Sequence, residues 1–198
     1  MSIKRVENKY IFNINSKQKV INKILSKGYK EIYSERQINS IYFDTLDYKS
    51  YTDSIEGNIP RKKFRVRSYD NFNTNFNFEI KEVNEYGRFK FSKKIVEIPN
   101  EITDNIYQII YPVIEIEYKR LYFSDDQIRL TLDFNIKYRS LVSDTKYDTS
   151  DLILESKLSD GVQYDEEINN YKIFGENNVS FSKYKEAINK IIFFGRNL

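Results

Sequence analysis

The sequence feature that most constrains the fold is an alternation of polar and apolar side chains that recurs along most of the chain. Successive side chains of a β-strand point to opposite faces of a sheet, so a period of two predicts strands with one charged and one apolar face. In one such segment the basic side chains fall on a single face: Lys63, Arg65 and Arg67. The pattern predicts eight strands, at residues 4–12, 37–43, 61–69, 76–83, 88–97, 113–123, 127–139 and 152–158.

Three further stretches have the spacing of apolar residues that is typical of amphipathic helices. They are residues 16–27, a short stretch between Thr103 and Pro112, and residues 182–194. Few of the predicted strands are separated by helices, which favours an antiparallel sheet or a closed barrel of the α+β class over a parallel sheet. The length of 198 residues fits a single domain over residues 1–198.

The charged faces allow two arrangements of the sheet. In the first, the strands are half-buried in the ordinary way and their charged faces meet water. In the second, the sheet closes into a barrel, which removes exposed strand edges, and the charged faces line its interior beneath outward-packed apolar faces and helices. Such an interior has to be wet and internally paired, or filled by a polyanion and a metal ion, because an unpaired buried charge is costly. The alternation alone is compatible with both arrangements.

The amino-acid inventory narrows the chemistry, because the chain contains no His and no Cys. This excludes disulfides, thiolate nucleophiles, the common zinc sites and any mechanism with an imidazole base. Catalysis has to rely on carboxylates, cationic side chains, hydroxyls and a hard metal ion, which suits the chemistry of phosphates. The net charge is only +3, and most aromatic residues lie opposite the Arg and Lys side chains, so nucleic-acid binding is not expected.

Short motifs occur in a fixed order along nearly the whole chain: RVENKY (5–10), SIYFDT (40–45), RKKFRVR (61–67), FEIK (78–81), YKR (118–120), RLTLD (129–133), LESK (154–157) and FSKY (181–184). This ordered set resembles the VTC domain, the catalytic domain of vacuolar transporter chaperone polyphosphate polymerases, within the triphosphate tunnel metalloenzyme superfamily. Each motif is weak by itself, whereas the ordered set is specific, above all the YFDT stretch followed by the two arginines of the RxR pair.

The resemblance implies a closed antiparallel tunnel (a β-barrel) of eight strands, with a charged lumen and about three flanking helices. It also implies a metal-dependent phosphotransferase, namely a polyphosphate polymerase that transfers the γ-phosphoryl group of ATP to a growing polyphosphate chain. The implied cofactor is Mn²⁺ or Mg²⁺, and the implied partners are ATP and polyphosphate. Phosphoryl transfer depends mostly on positioning and charge neutralisation, so it needs no imidazole.

The resemblance also assigns roles to individual residues. The residues implied to act in catalysis are Arg65, Arg67, Lys81 and Arg129. Those implied to bind phosphates are Lys9, Lys90, Lys94, Lys157 and Lys183. The implied metal ligands are Glu155 and Glu7, and Asp133 is a further candidate partner for a metal or a basic residue. Structural roles are expected for Tyr42 and Asp44.

Two positions depart from the wider pattern. Other tunnel enzymes carry ExExK in the first strand, whereas here the first Glu is replaced by Arg5, as in the VTC branch, which argues against a two-metal triphosphatase or an adenylate cyclase. Ser180 stands where the family often has a further basic residue.

No SPX domain is seen, and no apolar run approaches the ~20 residues needed to span a bilayer. A cytoplasmic catalytic domain is therefore expected, and coupling to a membrane for export would need a membrane-protein partner. Two alternatives stay open: a triphosphate or polyphosphate hydrolase of the same superfamily, and a non-catalytic polyphosphate- or nucleotide-binding module.

Overall fold

The segments with a period of two form β-strands. The computed structural model describes residues 7–70, 75–125, 127–158 and 179–193. The strands in this part of the chain are β1 (Glu7–Asn13), β2 (Lys30–Asp44), β3 (Arg61–Tyr69), β4 (Phe76–Asn84), β5 (Gly87–Ile95), β6 (Ile102–Asp104), β7 (Gln108–Ser124), β8 (Ile128–Ser140), β9 (Lys146–Asp148) and β10 (Asp151–Leu158). All eight predicted strands are confirmed; residues 4–6 of the first lie outside the described residues.

The strands hydrogen-bond in the order β1-β10-β8-β7-β2-β3-β4-β5, with β6 added to β7 and β9 added to β8. The described registers are antiparallel, which confirms an antiparallel α+β fold. One detail differs from the prediction of a closed barrel, since no pairing between β1 and β5 occurs among the described residues. The side chains of β5 have the character of a protected sheet edge, because seven of its nine residues are exposed and several are Lys or Arg.

The described helices are α1 (Lys17–Ser26), α2 (Lys49–Glu56) and α3 (Lys183–Ile188), the last followed by a π-helical turn (Asn189–Phe193). The predicted helices at 16–27 and 182–194 are confirmed as α1 and α3, although residue 194 lies outside the described residues. The sequence did not predict α2, whose eight residues contain a single large aliphatic side chain, Ile55. Within the described residues, no helix is long and apolar enough to cross a membrane.

The helix predicted after Thr103 is wrong, because this stretch is a β-hairpin. Ile102 pairs with Ile110 across β6 and β7. One carboxylate oxygen of Asp104 accepts hydrogen bonds from the backbone N–H groups of Ile106 and Tyr107, at 2.9 and 3.2 Å. This side chain closes the turn between the two strands, as Asp commonly does.

The chain forms two compact units, and β2, β7 and β8 each contribute residues to both. The first unit comprises the described residues of 1–36, 118–136 and 149–181. In it, α1 buries Val20 and Ile24 against the apolar side chains of β1, β8 and β10. The predicted packing of a helix over an apolar sheet face is therefore seen here.

The second unit comprises the described residues of 37–117, 137–148 and 182–198. The apolar faces of β2, β3 and β4 bury Phe43, Phe64 and Phe76 together with Tyr107 and Ile110. The hairpin of β6 and β7 therefore covers this face, and the charged side chains of the same strands lie on the opposite face.

Candidate functional site

A nine-residue basic face forms the opposite side of β3, β4 and β5 in the second unit. Residues directly opposite each other on neighbouring strands share a face, so the registers define three rows across these strands. The rows are Lys63–Lys81–Lys90, Arg65–Glu79–Ser92 and Arg67–Asn77–Lys94. The sequence pattern places five of the implied site residues together here, and the structure confirms that placement: Arg65, Arg67, Lys81, Lys90 and Lys94.

Arg65 is held from both neighbouring strands. Its Nε donates to Glu79 Oε2 of β4 at 2.5 Å, and one terminal nitrogen donates to the Tyr42 hydroxyl of β2 at 3.2 Å. Both partners lie directly opposite Arg65 in the sheet register. The guanidinium is therefore fixed by residues that the strand pairing itself supplies.

Glu79 is the single carboxylate of the basic face. It is 6% exposed and contacts both Arg65 and Lys90. Burial by itself would raise the pKa of this carboxyl group. The charges of Arg65 and Arg67 and the hydrogen bond from Lys90 outweigh burial and lower the pKa to about 2. The group is thus ionised at neutral pH and anchors the surrounding cations.

Arg67 is 8% exposed, and its Nε donates to the buried Ser40 hydroxyl of β2 at 3.1 Å. Charged side chains with so little exposure are unusual unless they have partners or a ligand. Ser40 therefore orients the guanidinium from β2.

The first row of the basic face consists of lysines only. Lys63 lies directly opposite Lys81, which lies directly opposite Lys90. Like charges in directly opposed positions destabilise a sheet. A polyanion that lies across the three strands would contact all three lysines. Lys63 is not among the predicted site residues, because a single strand does not show that Lys63 lies opposite Lys81.

Lys183 is the first residue of α3. The next residue, Tyr184, packs this helix against β2 of the second unit. The Tyr184 ring stacks on Tyr42, with centroids 5.0 Å apart and planes at 15°, and its hydroxyl donates to Asp44. Asp44 is fully buried and also accepts from the backbone of Ser50 at 2.8 Å. The structural role predicted for Asp44 is consistent with these contacts, which connect α2 and α3 to β2.

A second group of charged residues, the mixed face, lies on β1, β10 and β8 in the first unit. Its three rows are Glu7–Lys157–Arg129, Lys9–Glu155–Thr131 and Ile11–Ile153–Asp133. The remaining implied residues of the strands therefore lie together on this face: Glu7, Lys9, Arg129, Glu155 and Lys157.

Four charged residues of the mixed face pair with each other. Lys9 Nζ contacts Glu7 at 2.7 Å and the Phe181 carbonyl at 3.0 Å, which ties β1 to the FSKY stretch. Lys157 contacts Glu155, and its Nζ lies 3.5 Å from Glu7. Lys157 thus lies between two carboxylates of neighbouring strands.

These two carboxylates fit a hard divalent cation. Within the described residues, no group of three acidic or other ligating side chains could hold a metal. However, Mg²⁺ in phosphate-handling sites is usually held by one or two carboxylates plus phosphate oxygens of the substrate. Glu7 and Glu155, which share the Lys157 ammonium as a partner, provide such a pair.

Arg120 of β7 is a partly buried cation that is not among the residues predicted for the site. Its Nε and one terminal nitrogen donate to the two oxygens of Asp133, at 2.5 and 2.7 Å. The charge of Asp133 outweighs burial and raises the pKa of Arg120 further above its usual range. Asp133 is therefore the partner of a basic residue, one of the two roles considered for it. The alternation places Arg120 on the same face of β7 as the apolar residues Ile116 and Tyr118, so the pattern does not predict a charged site there.

Comparisons with known proteins agree with this architecture. The family model of the VTC domain matches residues 4–103 of the chain. No match is found among curated proteins.

Several solved structures have a similar fold. A protein from Pyrococcus horikoshii OT3 is 15% identical, with a TM-score of 0.56 over 94% of this chain and 99% of its own. A candidate adenylate cyclase from Vibrio parahaemolyticus is 13% identical, with a TM-score of 0.56 over 93% of this chain and 97% of its own. A candidate adenylyl cyclase from Hippeastrum, described as having a dominant triphosphatase activity, is 11% identical, with a TM-score of 0.50 over 95% of this chain and 97% of its own. At these identities the likeness concerns the fold.

Proposed function

Because the chain belongs to the VTC domain family, we propose that it is a polyphosphate polymerase that transfers the γ-phosphoryl group of ATP to a growing polyphosphate chain. Such a reaction requires a surface that binds several phosphates at once and a site for a divalent cation. The proposal extends to a cytoplasmic location and to a membrane-protein partner for export of the product.

The observation that carries the proposal is the excess of positive charge on the basic face. Its three rows contain six cationic side chains and one carboxylate, Glu79. The row of three lysines brings cationic side chains from three neighbouring strands into line. A chain of phosphates carries negative charge along its whole length, so it matches a row of cations better than a compact anion does.

The residues of the basic face contribute positioning and charge neutralisation. Arg65 is oriented by Glu79 and Tyr42, and a guanidinium group is well suited to hydrogen-bond phosphate oxygens. Arg67 adds a second guanidinium from the next row of the same strand. Catalysis of phosphoryl transfer consists largely of such positioning and electrostatic stabilisation.

The cation, Mn²⁺ or Mg²⁺, would be held by Glu7 and Glu155 on the mixed face. When bound, it neutralises charge on the phosphate oxygens. Lys9 and Lys157 place positive charge beside the same carboxylates and keep them oriented through the contacts described above.

The test is incubation of the purified protein with ATP and Mn²⁺, followed by gel analysis for polyphosphate. We expect a polymer from the wild type and a loss of at least about a hundredfold in its rate of formation in Arg65→Ala and in Glu155→Ala. The control is Lys93→Ala, because Lys93 lies on β5 opposite Phe78, on the other face from Lys90 and Lys94. It should keep wild-type activity.

The outcome decides between three functions. An Arg65→Ala, Glu155→Ala double variant that still makes polymer would contradict the assignment of the site. Release of phosphate or pyrophosphate without polymer would identify a hydrolase, the activity described for the Hippeastrum protein of similar fold. Stabilisation by polyphosphate without turnover would identify a binding module.

A further inference from the structure

Tyr42 of β2 lies beside the basic face, near Arg65, Arg67 and Lys81, and is 9% exposed. It is directly opposite Arg65 in the register of β2 and β3, and its hydroxyl oxygen accepts a hydrogen bond from Arg65 at 3.2 Å. Its ring is stacked on Tyr184. The position of the hydroxyl is therefore fixed on both sides, by the sheet and by α3.

The proton of this hydroxyl lacks an acceptor in the described part of the chain. A phenol both donates and accepts, and the bond from Arg65 uses only its accepting capacity. The charged neighbours Arg65, Arg67 and Lys81 carry donors only. Buried hydroxyl groups nearly always find a partner, so this proton is placed to bind an acceptor that a ligand supplies.

We propose that Tyr42 is a direct ligand of the phosphate bound at the basic face, with its hydroxyl accepting from Arg65 and donating to a phosphate oxygen. The inference rests on the proposed function, because it requires a phosphate at Arg65 and Arg67. It gives Tyr42 a role in ligand recognition in place of the structural role expected from the sequence.

The arrangement makes phosphate binding depend on pH. Burial alone would raise the pKa of the Tyr42 phenol, but the charges of Arg65, Arg67 and Lys81 outweigh burial and lower the pKa to about 8. The other titratable groups near this cluster are Glu79, which is paired with Arg65, and Tyr184, whose proton is donated to Asp44.

Only the protonated phenol can donate to phosphate, whereas the phenolate repels it. Binding above about pH 8 therefore requires uptake of a proton, and the apparent affinity falls by about tenfold at one pH unit above the pKa.

The experiment measures binding of inorganic tripolyphosphate by calorimetry, at pH 7 and pH 9, for wild type and Tyr42→Phe. The variant keeps the stacked ring and loses only the hydroxyl. At pH 7 we expect about tenfold weaker binding, as for loss of a hydrogen bond to a charged group. Between pH 7 and 9 the affinity of the wild type should fall about ten times more than that of the variant. The titration of tripolyphosphate itself changes both affinities equally, so it does not affect this ratio.

The matched control is Tyr107→Phe. Tyr107 is also buried, and its hydroxyl also accepts a hydrogen bond, from the backbone of Lys62 at 3.2 Å, but it lies in the apolar core on the other side of the sheet. Burial raises the pKa of Tyr107 to about 12. This variant should bind tripolyphosphate as the wild type does, with the same dependence on pH.

Equal affinity and equal pH dependence in wild type and Tyr42→Phe would overturn the inference while leaving the proposed function intact. A wild type that does not bind tripolyphosphate would overturn both. If Tyr42→Phe does not fold, NMR of wild-type protein labelled at tyrosine Cζ decides: tripolyphosphate should raise the pKa of one phenol that otherwise titrates near pH 8, and the absence of such a shift would contradict the inference.

Discussion

The basic face and the mixed face are built alike and charged differently. Each consists of nine residues in three cross-strand rows on three antiparallel strands. The basic face has six cations and one carboxylate, whereas the mixed face has three cations and three carboxylates: Lys9, Arg129 and Lys157 against Glu7, Asp133 and Glu155.

The two faces differ in how their charges are balanced within the protein. On the mixed face, Glu7 and Glu155 pair with Lys9 and Lys157, and Asp133 pairs with Arg120 of β7. On the basic face, Glu79 serves two cations, Arg65 and Lys90, and the other cations have no further carboxylate in the three rows. An excess of cations within the rows favours an anionic ligand, so the proposed phosphate site lies on the basic face and the proposed cation site lies on the mixed face.

The largest expected difference is in the free energy of unfolding, when an arginine of each unit is replaced. Arg120 donates two hydrogen bonds to Asp133, whose side chain is 1% exposed. Arg65 donates to Glu79 through Nε. Arg120→Ala leaves a buried carboxylate without its cation and should lower the free energy of unfolding by about 3–5 kcal/mol. Arg65→Ala should cost less than about 2 kcal/mol, because Lys90 still contacts Glu79.

Urea unfolding of both variants tests this difference. Arg120→Lys is a useful third variant, since it keeps the charge but not the two-point geometry, and an intermediate loss is expected. Equal losses in Arg120→Ala and Arg65→Ala would remove the distinction between a structural and a ligand-binding arginine.

The strand pattern was predictable from the sequence because one rule, the alternation of side chains, applies to all strands. The faces follow from it as well: Arg65, Arg67 and Lys81 lie on one face in the structure, as the alternation requires. The turn at Asp104 was not predictable in this way, because a single carboxylate that binds two backbone N–H groups overrides the helical spacing of Ile106 and Ile110.

The site was predictable only as far as strands could be aligned with their neighbours. The row of three lysines depends on register, which a single strand does not encode, so Lys63 was left out. Arg120 lies among apolar residues of β7, and its importance depends on Asp133 thirteen residues later on the neighbouring strand. For Tyr42, the sequence indicates a buried aromatic residue but not that cations surround it.

Acidification should affect the basic face through Glu79. Its folded pKa of about 2 lies below the ordinary value of 4.5, so its contribution is fully present above about pH 4.5 and is lost as the pH falls towards 2. We expect Glu79→Gln to be less stable than wild type by roughly 3 kcal/mol at pH 7. The difference should shrink as the pH falls from 4.5 to 2, as measured by thermal unfolding at a series of pH values.

The control on the mixed face is Glu7→Gln, which removes a carboxylate whose side chain is 37% exposed. Exposed ion pairs contribute at most about 1 kcal/mol, so this variant should differ little from wild type at neutral pH. A pH-independent difference between Glu79→Gln and wild type would contradict the contrast between a buried anchor and an exposed pair.

The smallest expected effect concerns the central position of the lysine row. Lys81 lies between Lys63 and Lys90, so Lys81→Gln removes the central charge. Exposed charges contribute at most about 1 kcal/mol, so the variant should unfold in urea within about 1 kcal/mol of wild type. Its affinity for tripolyphosphate should fall, and this loss should shrink at high salt, because exposed charges are screened. Lys93→Gln, on the opposite face of β5, should bind tripolyphosphate as wild type does. Equal affinities of Lys81→Gln and Lys93→Gln would contradict a role of the lysine row in phosphate binding.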